Sequence, residues 1–264
     1  MHHIRLLSLA LLVLILLPGH AVAQESVHIE ELTWTEVRAA LDGGATTAII
    51  PTGGTEQNGP HMVLGKHNFL VRATAEDIAQ QLGGTLVAPV IGYVPEGSVD
   101  PPSGHMRSAG TITFPREYFE RLVEYAARSM AAHGFTEILL IGDSGGNQSG
   151  LAAVAELLNA EWAGTGVEVR HVTDYYGGAT GVRAWLESQG FSGDDIGSHA
   201  GISDTSHLMF INPEGVRSDL RQKGVRGDGS GVTGNPSMAS AELGREIHRL
   251  KVEAAVRQVR EMRR

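Results

Sequence analysis

The 264-residue chain has no cysteine. No disulfide can brace it, and no thiolate can act as metal ligand or nucleophile. Basic clusters are missing too. The net charge is −9, and no run of Lys and Arg could follow a phosphate backbone, which argues against nucleic acid as a partner. The apolar run Leu6–Leu17 is too short for a comfortable membrane span. Arg5 precedes it, and Pro18-Gly19 and Ala21-Val22-Ala23 follow. This is the layout of a cleavable signal peptide over residues 1–23. The chain is therefore expected to be exported to the periplasm or the exterior, with no membrane attachment after cleavage. Such a protein without cross-links needs a large core. Residues 24–264 carry no linker and no repeat, so one domain is expected. Glycine, by contrast, is abundant at 34 residues and lies in motif-like loops, which suggests many tight loops on a rigid frame.

Strand-like and helix-like segments alternate. Residues 46–54, 85–93, 136–143 and 166–176 read as strands. Residues 68–84, 115–135, 147–163, 178–190 and 240–263 read as helices, with Gly83 and Gly134 at C-terminal stops. This order predicts right-handed crossovers and a mainly parallel sheet covered on both faces, an α/β fold. The site then lies beyond the carboxyl ends of the strands.

The segment G-D-S-G-G at 142–146 has the letters of a trypsin-like nucleophile. That reading fails, because the segment follows an apolar strand and a long helix, whereas trypsin-like proteases are antiparallel barrels. A serine hydrolase using Ser144 with Asp204 and His207, spaced as D-x-x-H, is an alternative. The plainer role for Ser144 is to cap the helix that begins near Asn147.

The segment 51–68 concentrates metal-type residues: Glu56, His61 and His67 lie between glycines and a proline, directly after a strand. Further along come His105, Asp143, His199, Asp204 and His207. Each falls in a segment read as a loop, four loops in all, and their joint position at strand ends points to one metal pocket.

These residues also carry a family resemblance. "GGTEQNGPHMVLGKHN" resembles the E-Q-H-G-P-H-L-P-L-x-T-D segment of the creatininase (creatinine amidohydrolase) family. "SGHMRSAGTITF" is similar to its H-x-x-x-P-G-T-I, "LLIGDSGGNQ" to its N-G-H-G-G-N, and "SHAGISDTS" to its H-A-G-E-x-E-T-S. "GVTGNPSMASAELG" is similar to its G-V-x-G-D-P-x-x-A-T-x-x-G. The resemblance implies a three-layer α/β/α sandwich, usually a homohexamer, and metal-dependent hydrolysis of amide or cyclic amide C–N bonds. Glu56 matches a metal-binding Glu, and His61 and His199 match family histidines. Asn58 and Ser144 stand where the family has metal-binding histidines, His67 where it has the Asp that bridges two metals, and Asp204 where it has a Glu.

A neutral imidazole offers one lone pair, so His67 cannot bridge two ions. A single divalent ion per subunit, zinc, manganese or iron, is therefore expected. Its expected shell is Glu56, His67 and Asp204, completed by Asp143 or His61. His199 or His61 is expected to carry protons, and Ser144 is kept as a catalytic candidate. Asn58, His105, Gly145 and Gly146 are expected to contact substrate, with a backbone N–H of the glycine pair facing the oxyanion. The substrate is expected to be a small amide or lactam, with creatinine itself disfavoured by the altered shell. A family member that has lost catalysis and acts as a binding protein is the other alternative.

Overall fold

Every residue of the first strand, β1 (Thr47–Thr52), is buried in the computed structural model, which describes residues 26–264. The expected signal segment lies outside the described residues. A strand buried on both faces belongs to a sheet covered on both sides. Three further strands complete it: β2 (Thr85–Val87), β3 (Glu137–Gly142) and β4 (Glu168–His171). The order is β2-β1-β3-β4 and all neighbours are parallel.

Among the described residues, the helices in chain order begin with α1 (Trp34–Asp42), α2 (Lys66–Leu82), α3 (Arg116–His133) and α4 (Gln148–Glu161). They continue with α5 (Val182–Ser188), α6 (Gly193–Ile196), α7 (Ile202–Ile211) and α8 (Ala241–Met262). Side chains alternate across the sheet with period two. Ile49, Leu139 and Ile141 pack under α2 and α8. Ile50, Ile138 and Leu140 face the other way, onto α3 and α4. The result is the three-layer α/β/α sandwich with a parallel sheet that the sequence leads one to expect.

Three local expectations need correction. The second strand stops at Val87, and the fourth stops at His171, where residues Thr173–Tyr175 form a 3-10 turn that carries Tyr175 inward. The segment holding Asp204 and His207, expected as a loop, is helix α7. Its apolar side is short and interrupted by Ser, Asp and His, so the helical period is hard to see. No helix of the described residues is long and apolar enough to cross a membrane.

Two glycine positions show how tightly the layers meet. A Cβ on Gly54, just after β1, would lie 2.5 Å from Glu96 Oε1, so this loop can press onto the pocket floor only with glycine there. On α8, a Cβ on Gly244 would lie 1.9 Å from the Ser206 carbonyl oxygen of α7. Gly244 is the last glycine of the "GVTGNPSMASAELG" segment. Glycine is required there for a physical reason: α7 and α8 touch backbone to backbone.

Candidate functional site

A cavity of about 910 Å³ opens beyond the carboxyl ends of β1 and β3. The loop after β1 contributes Glu56, and the first turn of α2 contributes Lys66 and His67. Asp143 and Ser144 come from the end of β3, and Lys251 from α8. The loop before α3 adds Glu96 and His105, while His199 and Asp204 come from the entry to α7 and its first turn.

His67 lies between two buried carboxylates. Its Nδ1 is 2.8 Å from Asp143 Oδ2 and its Nε2 is 2.9 Å from Glu56 Oε1. Both acceptors are carboxylates, so both ring nitrogens donate, which makes the ring an imidazolium. Burial and the charge of Lys66 push its pKa down, but the hydrogen bonds to Asp143 and Glu56 outweigh them and raise it. Asp143 is held further by Lys251 Nζ, in close contact with Oδ1, and by the Tyr175 hydroxyl at 2.8 Å. Burial would raise the Asp143 pKa, yet the charge of Lys251 and the bond to His67 hold it well below the usual carboxylate range.

Lys66 is 1% exposed, an unusual setting for an ammonium at a helix N-terminus, where the dipole opposes it. Its Nζ lies 3.1 Å from Asp204 Oδ2 and 3.9 Å from Glu56 Oε1. Burial alone would lower its pKa, but Asp204, Glu56 and Asp143 raise it. Asp204 also accepts the Ala200 N–H at 2.8 Å, and the Lys66 charge overcomes burial to bring its pKa to about 2. Glu56 is likewise held low: burial opposes this, but His67 and Lys66 prevail. Beside it, burial and then the Glu56 charge push Glu96 up to about 9, so Glu96 keeps its proton at neutral pH and shares a hydrogen bond with Glu56.

The other oxygen of Glu56 faces outward. Glu56 Oε2 is 3.1 Å from His105 Nε2, and Oε1 is 3.7 Å from His199 Nδ1. The His199 Nε2–H donates to the Gln57 carbonyl at 2.9 Å, which leaves Nδ1 with its lone pair. One ligand atom each from Glu56, His105 and His199 lie within 4.8 Å of one another. A tetrahedral ion with bonds of about 2.0–2.1 Å holds its donors roughly 3.3 Å apart, so the donor set fits a divalent cation after small adjustments.

Other sequence-predicted residues fall in different places. Glu56 stands in this donor group, but His67, Asp143 and Asp204 do not gather with it around a common point. His67 has no free lone pair, and Asp143 and Asp204 are neutralised by Lys251 and Lys66. His105, expected to contact substrate, joins the ligand group instead. Asn58 is fully buried and its amide donates to the carbonyls of Glu56 and Val63, so it braces the loop and does not line the cavity. His61 is also buried away from the cavity, with Nε2 2.9 Å from the Thr205 hydroxyl. Gly145 and Gly146 do line the wall, and a Cβ on Gly146 would lie 2.4 Å from the Pro95 carbonyl oxygen. Ser144 accepts the Gly146 N–H, the capping role. His207 points into the protein, 3.1 Å from His248, while Asp204 is spent on Lys66, so the three residues form no Ser-His-Asp relay. Lys66, Lys251 and Glu96 were invisible as site residues. The only signal was the pairing of Lys66 with His67 at the T-D position of the first family segment.

Comparison with known proteins decides the relationship. The family described as creatininase, creatinine amidohydrolase, matches residues 30–259. The chain belongs to the creatininase family. The mycofactocin precursor peptide peptidase of Mycobacterium tuberculosis is 28% identical over 245 residues, covering 83% of this chain and 86% of that protein. The creatinine amidohydrolase of Pseudomonas putida is 26% identical over 200 residues, covering 74% and 75%. A solved manganese creatininase superposes with a TM-score of 0.73 at 25% identity, covering 90% of this chain and 99% of that one. A mutant creatininase of Zn-Zn type gives 0.72 at 25% identity, covering 90% and 98%. The chain is thus a hydrolase of the creatininase amidohydrolase type, and its relatives include metal-dependent members.

Within this creatininase-family frame, burial and then the charge of Arg221 lower the His61 pKa to about 4, and its Nδ1 has no partner. The folded protein keeps His61 neutral, while an unfolded chain protonates it near pH 6.5. The stability it contributes is complete above pH 6.5 and is lost as pH falls toward 4. Urea melts of the native protein and His61→Gln across that window should differ in slope by up to about 1.4 kcal/mol per pH unit, the native protein being the steeper. Equal slopes would show that His61 is solvated.

Proposed function

We propose that this creatininase-family protein is a metal-dependent amidohydrolase that opens a small amide or cyclic amide, with one divalent ion per subunit held by Glu56, His105 and His199. The observation that carries the reading is the convergence of these three donors at the floor of the cavity. Zinc, manganese and iron all suit one carboxylate and two imidazoles. Such an ion would polarise an amide carbonyl and make a bound water acidic near neutral pH.

The chain's own residues do the rest. His67 and Lys66 hold the Glu56 carboxyl below the usual range, which favours its outer oxygen as an ionised donor. Glu96 lines the cavity beside Glu56, where a protonated carboxyl could give its proton to a leaving amine. Gly145 and Gly146 bring backbone close to the substrate without a side chain in the way. Creatinine is disfavoured as the substrate, because the donor set differs from the family pattern at Asn58, His67 and Ser144. The reading includes export through residues 1–23, supported by the basic start, apolar run and A-x-A site.

A homo-oligomer forms part of the proposal. Tyr118, Leu122 and Tyr125 recur at helical spacing on α3, each at least 42% exposed. Phe114 lies 5.9 Å from Tyr118 and 6.3 Å from Tyr93, extending the patch. An exposed aromatic stripe of this kind is a common seat for a second copy.

Metal analysis of purified mature protein should find about one zinc, manganese or iron per chain, lost in His105→Ala and His199→Ala. Amide hydrolysis should fall in both variants by at least the roughly 10–100-fold seen when outer-shell partners are removed. No bound metal with activity intact in chelator would refute the reading. Metal binding without turnover of any amide or lactam would favour a binding protein. In sedimentation, Tyr118→Asp with Tyr125→Asp should convert the oligomer to monomer, and a native monomer would remove the oligomer from the account.

A further inference from the structure

The charges lining the cavity can be balanced group by group. Glu56, Asp143 and Asp204 are ionised carboxylates. Against them stand Lys66 on Asp204 and Glu56, the His67 imidazolium between Glu56 and Asp143, and Lys251 on Asp143. Each of these three carboxylates is thus matched by a cation in contact, and none of the three cations is left over.

Two further cations line the same cavity from outside this network. Arg183 lies in the first turn of α5, and Arg226 lies in the loop before the His199–Thr233 bridge. Both are exposed, and neither has a hydrogen bond or ion pair with any described residue. Several surface cations have a carboxylate in contact, as Arg116, Arg128, Arg249 and Lys223 do, whereas these two keep their guanidinium groups free at the mouth of one cavity. Two guanidinium groups left free on one cavity give it a net positive potential, and a divalent ion on Glu56, His105 and His199 would add to it.

We propose that the cavity selects amides whose other end carries a carboxylate, with Arg183 and Arg226 receiving that carboxylate while the amide reaches the cavity floor. This rests on the amidohydrolase reading for the role of the floor, but not for the recognition itself. A planar guanidinium offers paired N–H donors that match a carboxylate, and the free forks of these two residues have no competing partner to displace. The same charge repels cationic compounds, which sets this pocket apart from one built for a basic heterocycle.

The test compares paired ligands that differ only in the charged end: succinamate against succinamide, and N-acetylglycine against N-acetylglycinamide. Binding to the full mature protein is measured by calorimetry at low and high salt, with metal present and with metal removed by chelator. Each acid is expected to bind roughly tenfold or more tightly than its amide partner at low salt, with the gap closing at high salt. Arg183→Ala and Arg226→Ala should each weaken the acid by roughly tenfold and leave the neutral partner unchanged, whereas Arg38→Ala on α1 should alter neither. Both variants are exposed, and an unchanged melting temperature confirms folding. The proposal is overturned if acids and amides bind alike, if neither acid binds, or if the arginine variants lose nothing. Arginine-dependent binding in a protein that hydrolyses no amide would support the recognition and sink only the hydrolase reading.

Discussion

Three carboxylates at one end of a parallel sheet, Glu56 and Asp143 buried and Asp204 half-buried, need counter-charges, and the arrangement of this site follows from how they are supplied. An unpaired carboxylate in such surroundings costs several kcal/mol, so it must be matched, protonated or solvated. Here Asp143 is matched by Lys251 and His67, Asp204 by Lys66, and Glu56 by His67 and Lys66. Glu96, which has no cation in contact, takes the remaining course and keeps its proton. These pairings contribute little net stability, because desolvation offsets their attraction. What they fix is orientation. Removing Lys251 would leave Asp143 with only the His67 cation that it shares with Glu56, at a cost of up to about 3–5 kcal/mol.

Side-chain cations thus occupy the inner half of the pocket, in a fold shared with a solved mutant creatininase of Zn-Zn type. The exchange is written in adjacent positions. His67, which by the family resemblance stands at the place of a metal-bridging Asp, is an imidazolium that itself links two carboxylates, and Lys66 beside it brings an ammonium to the same place. Once both ring nitrogens of His67 are donating, no lone pair is left for an ion. Metal-type donors remain only on the outer half, where Glu56 turns its second oxygen toward His105 and His199. The fold keeps its pocket and its cavity walls, and the charge inside is rebuilt from protein groups.

The sheet and its flanking helices were legible because their patterns are long. The runs at 46–54 and 136–143 are apolar on both faces, and the segment that becomes α3 keeps an apolar stripe through five turns. Helix α7 was not legible, since ten residues with Ser, Asp, Thr, Ser and His among them show little periodicity. At the site, the chemistry of Glu56 and the importance of the segment 51–68 could be read, and so could the meeting of His105, His199 and Asp204 at one pocket. Which histidine keeps a lone pair could not be read. That depends on the hydrogen bonds of each ring: His67 donates twice, His61 turns to Thr205, His199 keeps its Nδ1 lone pair, and His105 Nε2 lies against Glu56 Oε2, where a bound ion would take the place of its proton. Lys66 and Lys251 escaped notice because a lysine in sequence looks like surface, and only three-dimensional pairing makes one a buried counter-ion.

The central claim is that a single divalent ion belongs on Glu56, His105 and His199 while His67 serves as an internal cation. Anomalous diffraction from crystals grown with zinc or manganese tests it most directly. The account predicts one anomalous peak per chain within bonding distance of those three side chains, with His67 still between Glu56 and Asp143. A peak bonded to His67, or two peaks in the cavity, would contradict it.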